Sequence, residues 1–256
     1  MIFVTLQTKG GAGKSTVAQQ ILATYFLRKN EKVTLIEIDD ENLDSSYMVS
    51  SSIKIEQLKF GTGSTAANAV ETLITRTNEN LVVDVGGNRT ATSFIAEAGD
   101  TGFFDFVDLV VIPISASGQD EINAVNTAEM IENVAPGTKI AIIVTRQNAR
   151  SDEEFDLIFT RYFDVPTLRS MTPHITYFPQ VMAMTHSRLL ETTLYEMANR
   201  REELTAQLSE KMIIASKSAD KAKSLHYSRI RKSVQESGQM LPFIENCHRM
   251  IDSALS

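Results

Sequence analysis

Eight consecutive residues near the start of the chain, Lys9-Gly10-Gly11-Ala12-Gly13-Lys14-Ser15-Thr16, combine two lysines, three glycines and two hydroxyls. Glycines let a backbone come close to a ligand without Cβ clashes, and their N–H groups can converge on one point. A polyphosphate is the ligand such a loop suits. Lys14 would meet the outer phosphates, and the Ser15 hydroxyl would bind Mg²⁺. The general phosphate-loop spacing asks for a glycine six residues before Lys14, and Thr8 stands there instead. Two aspartates follow apolar runs: Asp39 after Leu35-Ile36-Glu37-Ile38, and Asp84 after Leu81-Val82-Val83, with Val85-Gly86-Gly87 next. An aspartate at the end of a strand either serves a metal–phosphate site or caps a helix, and the residue alone leaves both open.

A phosphate loop works only between a strand and the helix it opens. Met1–Gln7 is short, apolar and β-rich, and Ser15–Lys29 has helical spacing in Val17, Ile21, Leu22, Tyr25 and Phe26. Lys32–Ile38, Leu81–Val85, Val107–Ile114 and Lys139–Thr145 are further apolar runs. Strands without alternation are covered on both faces, which points to a parallel sheet. Helix-length amphipathic stretches lie between them, at about 65–77, 91–100, 119–134 and 151–162, while 53–60 is ambiguous. The reading is an α/β domain over 1–186, a doubly wound, mostly parallel sheet with helices on both faces. A C-terminal helical extension over 187–256 packs on it. There Leu190, Leu194, Met197, Leu204, Leu208 and Met212 predict one long amphipathic helix. Gly238 and Pro242 interrupt a second helical stretch before Ile244–Leu255.

The pattern K-G-G-x-G-K-[ST]-[ST] is the deviant form of the phosphate loop, and through it the sequence resembles the ParA/MinD family of ATPases. Asp108-Leu109-Val110-Val111-Ile112-Pro113 is similar to a further strand of that family. The resemblance covers roughly 1–190. It implies ATP and Mg²⁺ as ligands, with Gly10, Gly11, Ala12, Gly13, Lys14, Ser15 and Thr16 around the phosphates. It implies an ATP-sandwich homodimer in which Lys9 crosses to the partner's nucleotide, as an arginine finger would. Asp39 would sit by the terminal phosphate or the metal's water shell. Asp84 would join Ser15 at Mg²⁺, and the N–H of Gly86 or Gly87 would sense the terminal phosphate. The chain departs from the family at Glu37, at Asp40 and at Thr145-Arg146, where an asparagine commonly precedes the arginine to read adenine. Thr145 can still offer a hydrogen bond there.

The protein has 256 residues, 43% hydrophobic and 22% charged, which fits a globular protein and excludes disorder of the whole chain. No apolar run is long enough to span a membrane, and the N-terminus lacks the features of a secretory signal. One cysteine, Cys247, excludes an intrachain disulfide, and the four histidines have no metal-like spacing. A reducing cytoplasm is the expected compartment. The net charge of -7 is uneven: 1–187 carries -9, but 188–232 carries +4. Within Lys211–Lys232 seven cations face one acid: Lys211, Lys217, Lys221, Lys223, Arg229, Arg231 and Lys232 against Asp220. Either this is a solvated helix face, or Lys217, Lys221, Lys223, Arg229, Arg231 and Lys232 bind DNA without sequence preference. The resemblance then implies a nucleoid-associated DNA-partition ATPase whose hydrolysis a DNA-binding adaptor protein stimulates. Alternatives are a MinD-like membrane-positioning ATPase, an ATPase accessory to conjugative DNA transfer, or a metabolic phosphate-loop enzyme. The end of the chain is a poor membrane helix, with one arginine and two acids in 243–256.

Overall fold

The computed structural model describes residues 1–38, 47–60, 64–115, 118–147 and 151–256. Strand β1 (Ile2–Thr5) leads through the glycine loop into α1 (Lys14–Val17), a π-helical turn (Ala18–Leu22) and α2 (Ala23–Arg28). Next come β2 (Thr34–Ile38), β3 (Lys54–Leu58), α3 (Ser64–Ile74), β4 (Leu81–Val85) and α4 (Asn88–Asp100). Then follow β5 (Leu109–Ser115), α5 (Gly118–Val134), β6 (Ile140–Gln147), α6 (Asp152–Tyr162), α7 (Val165–Met171) and β7 (Ile175–Pro179).

The seven strands form one parallel sheet in the order β3-β2-β4-β1-β5-β6-β7. The apolar runs Ile2–Val4, Leu81–Val83 and Leu109–Ile112 are buried in its middle, as strands covered on both faces must be. The ambiguous stretch 53–60 holds β3. Among the described residues it is an edge strand that pairs with β2 alone, and its exposed and half-exposed residues match that place. β7 was not expected; its run Ile175–Pro179 is short and carries Thr176 and Tyr177. Because β1 lies between β4 and β5, the chain leaves it on one side and later fills the other. The carboxyl ends of β1 and β4 therefore border the crevice where open α/β sheets bind ligands.

The chain divides into two compact units. The first holds 1–46, 52–180 and 246–256; the second holds Tyr47–Ser51 and Val181–Glu245. The expected division at 187 thus moves to 181, and the end of the chain returns to the first unit. The reason is the helix α12 (Leu241–Leu255): its Cys247, His248, Ile251 and Ala254 are buried. His248 Nε2 lies 3.2 Å from Thr24 Oγ1 and 3.0 Å from the Ile21 carbonyl. Asp252 accepts from the Tyr25 hydroxyl and from Arg28, each at 2.7 Å.

In the second unit the expected long helix is several shorter ones: α8 (Met182–Leu189), α9 (Leu194–Asn199), α10 (Arg201–Lys217) and α11 (Lys221–Ser237). The break follows α8. Glu191 takes a left-handed backbone (φ 56°), and Thr193 with Glu196 forms a reciprocal capping box that starts α9. Glu196 also accepts from Ser51 Oγ at 2.7 Å, and the Ser50 N–H donates to the Glu191 carbonyl at 3.0 Å. Apolar spacing passed through the break because short helices in sequence can share one apolar side. α10 and α11 form an antiparallel hairpin across Ser218-Ala219-Asp220, and a 3₁₀ turn (Gly238–Met240) joins α11 to α12. Pro242 sits at the second residue of α12, where its missing N–H costs nothing.

Candidate functional site: a phosphate-binding loop

Gly11 (φ +79°) and Gly13 (φ +97°) hold left-handed backbone that side chains rarely adopt, and these two turns fold the loop over the start of α1. A Cβ on Gly13 would sit 2.8 Å from Thr145 Oγ1. A Cβ on Gly87 would sit 3.1 Å from the Gly10 backbone and 3.3 Å from Lys14 Nζ. The loop and the turn after β4 therefore meet backbone to backbone, and a side chain on Gly87 would push them apart by a few tenths of an ångström.

Thr145, expected at an adenine base, is tied to the phosphate loop. It is 2% exposed, and its hydroxyl faces the Ala12 carbonyl at 2.9 Å and the Ile114 carbonyl at 3.3 Å. Its place is beneath the loop as a support. Arg146 follows it at a register shift between β6 and β7, exposed and left-handed (φ 57°).

Lys14 is 8% exposed, and its ammonium donates to the Lys9 carbonyl at 3.1 Å. That bond curls the side chain back over its own loop. Asp84, at the end of β4, is buried and accepts from Thr5 Oγ1 at 3.0 Å and from the Ser15 hydroxyl. Burial pushes its carboxyl up to about 6; the Ser15 and Thr5 hydrogen bonds and the Lys14 charge work against the rise, while Glu37 adds to it. A buried carboxylate beside a hydroxyl, held above its ordinary range, is a donor set that suits a hard divalent cation. The structure thus brings Ser15 and Asp84 together, and their oxygens are of a kind that fits Mg²⁺.

Lys9 forms an ion pair with Asp120 of its own chain. Asp120 is buried, and its other oxygen accepts from the Ser115 N–H at 3.1 Å and from the Ser115 hydroxyl. Nothing in the sequence flagged Asp120; it lies 111 residues from Lys9. Gln7 ties the same corner, reaching the Pro113 and Asp120 carbonyls at 3.3 Å each. Asp39 lies outside the described residues.

The turn after β4 is pinned at both ends. The Gly86 N–H donates to the Ile38 carbonyl at 2.6 Å, and the Asn88 N–H to the Thr8 carbonyl at 2.8 Å. It thereby links the end of β2 to the glycine loop.

The basic residues 217–232 lie on the α10–α11 hairpin. Lys217, Lys221, Lys223, Arg229 and Lys232 are exposed. At 100° per residue, Lys221, Arg229 and Lys232 share an arc of about 80° on α11. Ile230, Ser233, Val234 and Ser237 are buried on its opposite side. Lys223 pairs with Asp220 at 3.3 Å, Lys232 with Glu236 at 3.6 Å, and Arg231 is half-buried. No helix among the described residues is long and apolar enough to cross a membrane.

No family model matches the sequence, and no curated protein matches it. Solved structures do match in fold. A plasmid partition protein of Borrelia burgdorferi bound to AMPPNP is 16% identical, covering 72% of this chain and 88% of that one at a TM-score of 0.51. The MinC:MinD cell division complex of Aquifex aeolicus is 12% identical over 75% of this chain and 86% of that one, with a TM-score of 0.55. An ATP complex of Cyanothece McdA is 14% identical over 94% of this chain and 96% of that one, with a TM-score of 0.54. The parallel sheet and its surrounding helices share the fold of these structures, a phosphate-loop type of α/β fold.

Proposed function

We propose that the protein is an Mg²⁺-dependent ATPase of the partition type, which dimerises around ATP, binds DNA without sequence preference and lets go after hydrolysis. The observation that carries this reading is the cradle of Gly10, Gly13 and Gly87 closing on Lys14, with Ser15 and Asp84 beside it. Two structures of the same fold were solved with AMPPNP or ATP, which supports the nucleotide.

The chain's own groups divide the work. Loop N–H groups and Lys14 bind the phosphates; Lys14 can exchange the Lys9 carbonyl for a phosphate oxygen. Ser15 and Asp84 would hold Mg²⁺, which when bound neutralises charge on the outer phosphates. Asp39 is proposed to orient the water. Lys9 would leave Asp120 and cross to the partner's ATP. Hydrolysis then awaits a second protomer, which makes it slow for a lone chain and open to stimulation by an adaptor protein. Thr16 and Arg146 are kept as nucleotide contacts.

The DNA surface is assigned to the outward stripe of Lys221, Arg229 and Lys232, with Lys217 and Lys223 near the hairpin tip. Phosphate contacts need cations and little else. The MinD-like alternative, a C-terminal membrane helix, loses support because Cys247, Ile251 and Ala254 on α12 are already buried.

The test is DNA binding with and without ATP at two salt concentrations. The reading expects binding only with ATP and a steep fall with salt. Reversing the charge of Lys221, Arg229 and Lys232 together should flatten the log–log slope by about 2–3, at about 0.9 per phosphate contact. ATP-independent binding, or an unchanged slope, rejects it.

A further inference from the structure

Asn88 opens α4 immediately after Gly87, and its backbone is left-handed (φ 50°). Glycine would meet that backbone at lower cost; asparagine tolerates it and brings a carboxamide. A Cβ built on Gly10 would lie 4.0 Å from Asn88 Nδ2, so the carboxamide stands beside the phosphate loop. The residue is exposed, and its side chain makes no hydrogen bond among the described residues. Its position is nevertheless fixed: its N–H donates to the Thr8 carbonyl at 2.8 Å, and its own carbonyl accepts from Thr92 Oγ1 at 3.3 Å. Backbone of this kind, held by its neighbours at a ligand site, goes with a role for the side chain it presents.

Building on the nucleotide reading above, we propose that the Asn88 carboxamide reads the terminal phosphate of a bound triphosphate and orients the attacking water. Nδ2 donates to a terminal phosphate oxygen, and Oδ1 accepts from the water. The water oxygen forms the new bond to phosphorus as the bond to the ADP oxygen breaks, and its proton leaves with inorganic phosphate. Asn88 stays neutral throughout; it positions the water and takes no proton. A carboxylate in its place would repel the phosphate.

The test uses the full chain and two variants. Asn88→Gly keeps the left-handed backbone and removes the amide; Asn88→Asp keeps the shape and adds charge. Affinities for ADP and for AMPPNP are measured with Mg²⁺ by competition against a fluorescent nucleotide, together with single-turnover hydrolysis. Asn88→Gly should hold ADP within about twofold, lose about tenfold in AMPPNP affinity, and hydrolyse at least tenfold more slowly. Asn88→Asp should show the same split, more strongly. A merely structural role would move both affinities together, so an unchanged AMPPNP-to-ADP ratio in both variants overturns the proposal while leaving the nucleotide site standing. Failure of the wild-type chain to bind ADP overturns the nucleotide reading itself, and this proposal with it.

Discussion

Asp84→Asn should make the nucleotide-free protein more stable while disabling its site. In the folded chain burial lifts the Asp84 carboxyl from 3.8 to about 6. Each unit is about 1.4 kcal/mol, so keeping this group charged costs the folded state about 3 kcal/mol at pH 8. The sign follows from proton counting. Between pH 3.8 and 6 the folded state holds the proton more tightly than the unfolded one, so stability falls as pH rises through that window. Above it the full cost persists. Asparagine has no charge to desolvate, and the Thr5 and Ser15 hydroxyls can turn to accept from its amide. The assay is urea unfolding of both proteins at pH 8, 6 and 4, without nucleotide or Mg²⁺. Taking the difference between the two removes the other titrating groups. The variant should be more stable by about 3 kcal/mol at pH 8, with the gap closing toward pH 4. Mg²⁺ with ATP should then stabilise the wild type and not the variant. Equal stability at pH 8, or a gap that ignores pH, would refute the account of Asp84 as a strained carboxylate kept for a cation.

Gly13→Ala should abolish nucleotide binding, measured by calorimetry, and destabilise by about 1–2 kcal/mol or more, since φ is +97° and the new Cβ meets Thr145 at 2.8 Å. Adding Thr145→Ala should recover part of the stability through the relieved clash. Lys9→Ala should keep nucleotide affinity and lose ATP-dependent self-association on gel filtration; unchanged dimerisation would remove the crossing role. His248 titrates in the sense opposite to Asp84: burial lowers it to about 4, so it is neutral when folded. Its contribution is complete above pH 6.5 and is lost as pH falls toward 4, about 3 kcal/mol in all. His248→Gln should flatten that acid limb of the unfolding profile.

What the sequence discloses is local. The phosphate loop is eight contiguous residues, and its strand and helix follow from apolar spacing on either side. Asp84 is legible for the same reason, as the end of one apolar run. Pairings across more than a hundred residues are not: Asp120 reaches Lys9 only because β1 and β5 are neighbours in the sheet, and α5 starts beside the loop. The contact of Thr145 with the Ala12 carbonyl, 133 residues away, likewise depends on sheet order. Glu191 and Thr193 break a periodicity that looks continuous, and only backbone angle and cap geometry reveal the break. The edge strand β3, with Lys54, Glu56 and Gln57, lacks the apolar run that marked the central ones.

The clasp of Ser50 and Ser51 on Glu191 and Glu196 has a practical corollary. The helical unit is assembled from two pieces of chain more than a hundred residues apart, with the last helix returning afterwards to the sheet. It is therefore no detachable cassette. Expressed alone, 181–245 would lack five of its own residues, and a truncation at 180 would strip α12 from the phosphate-loop unit along with it.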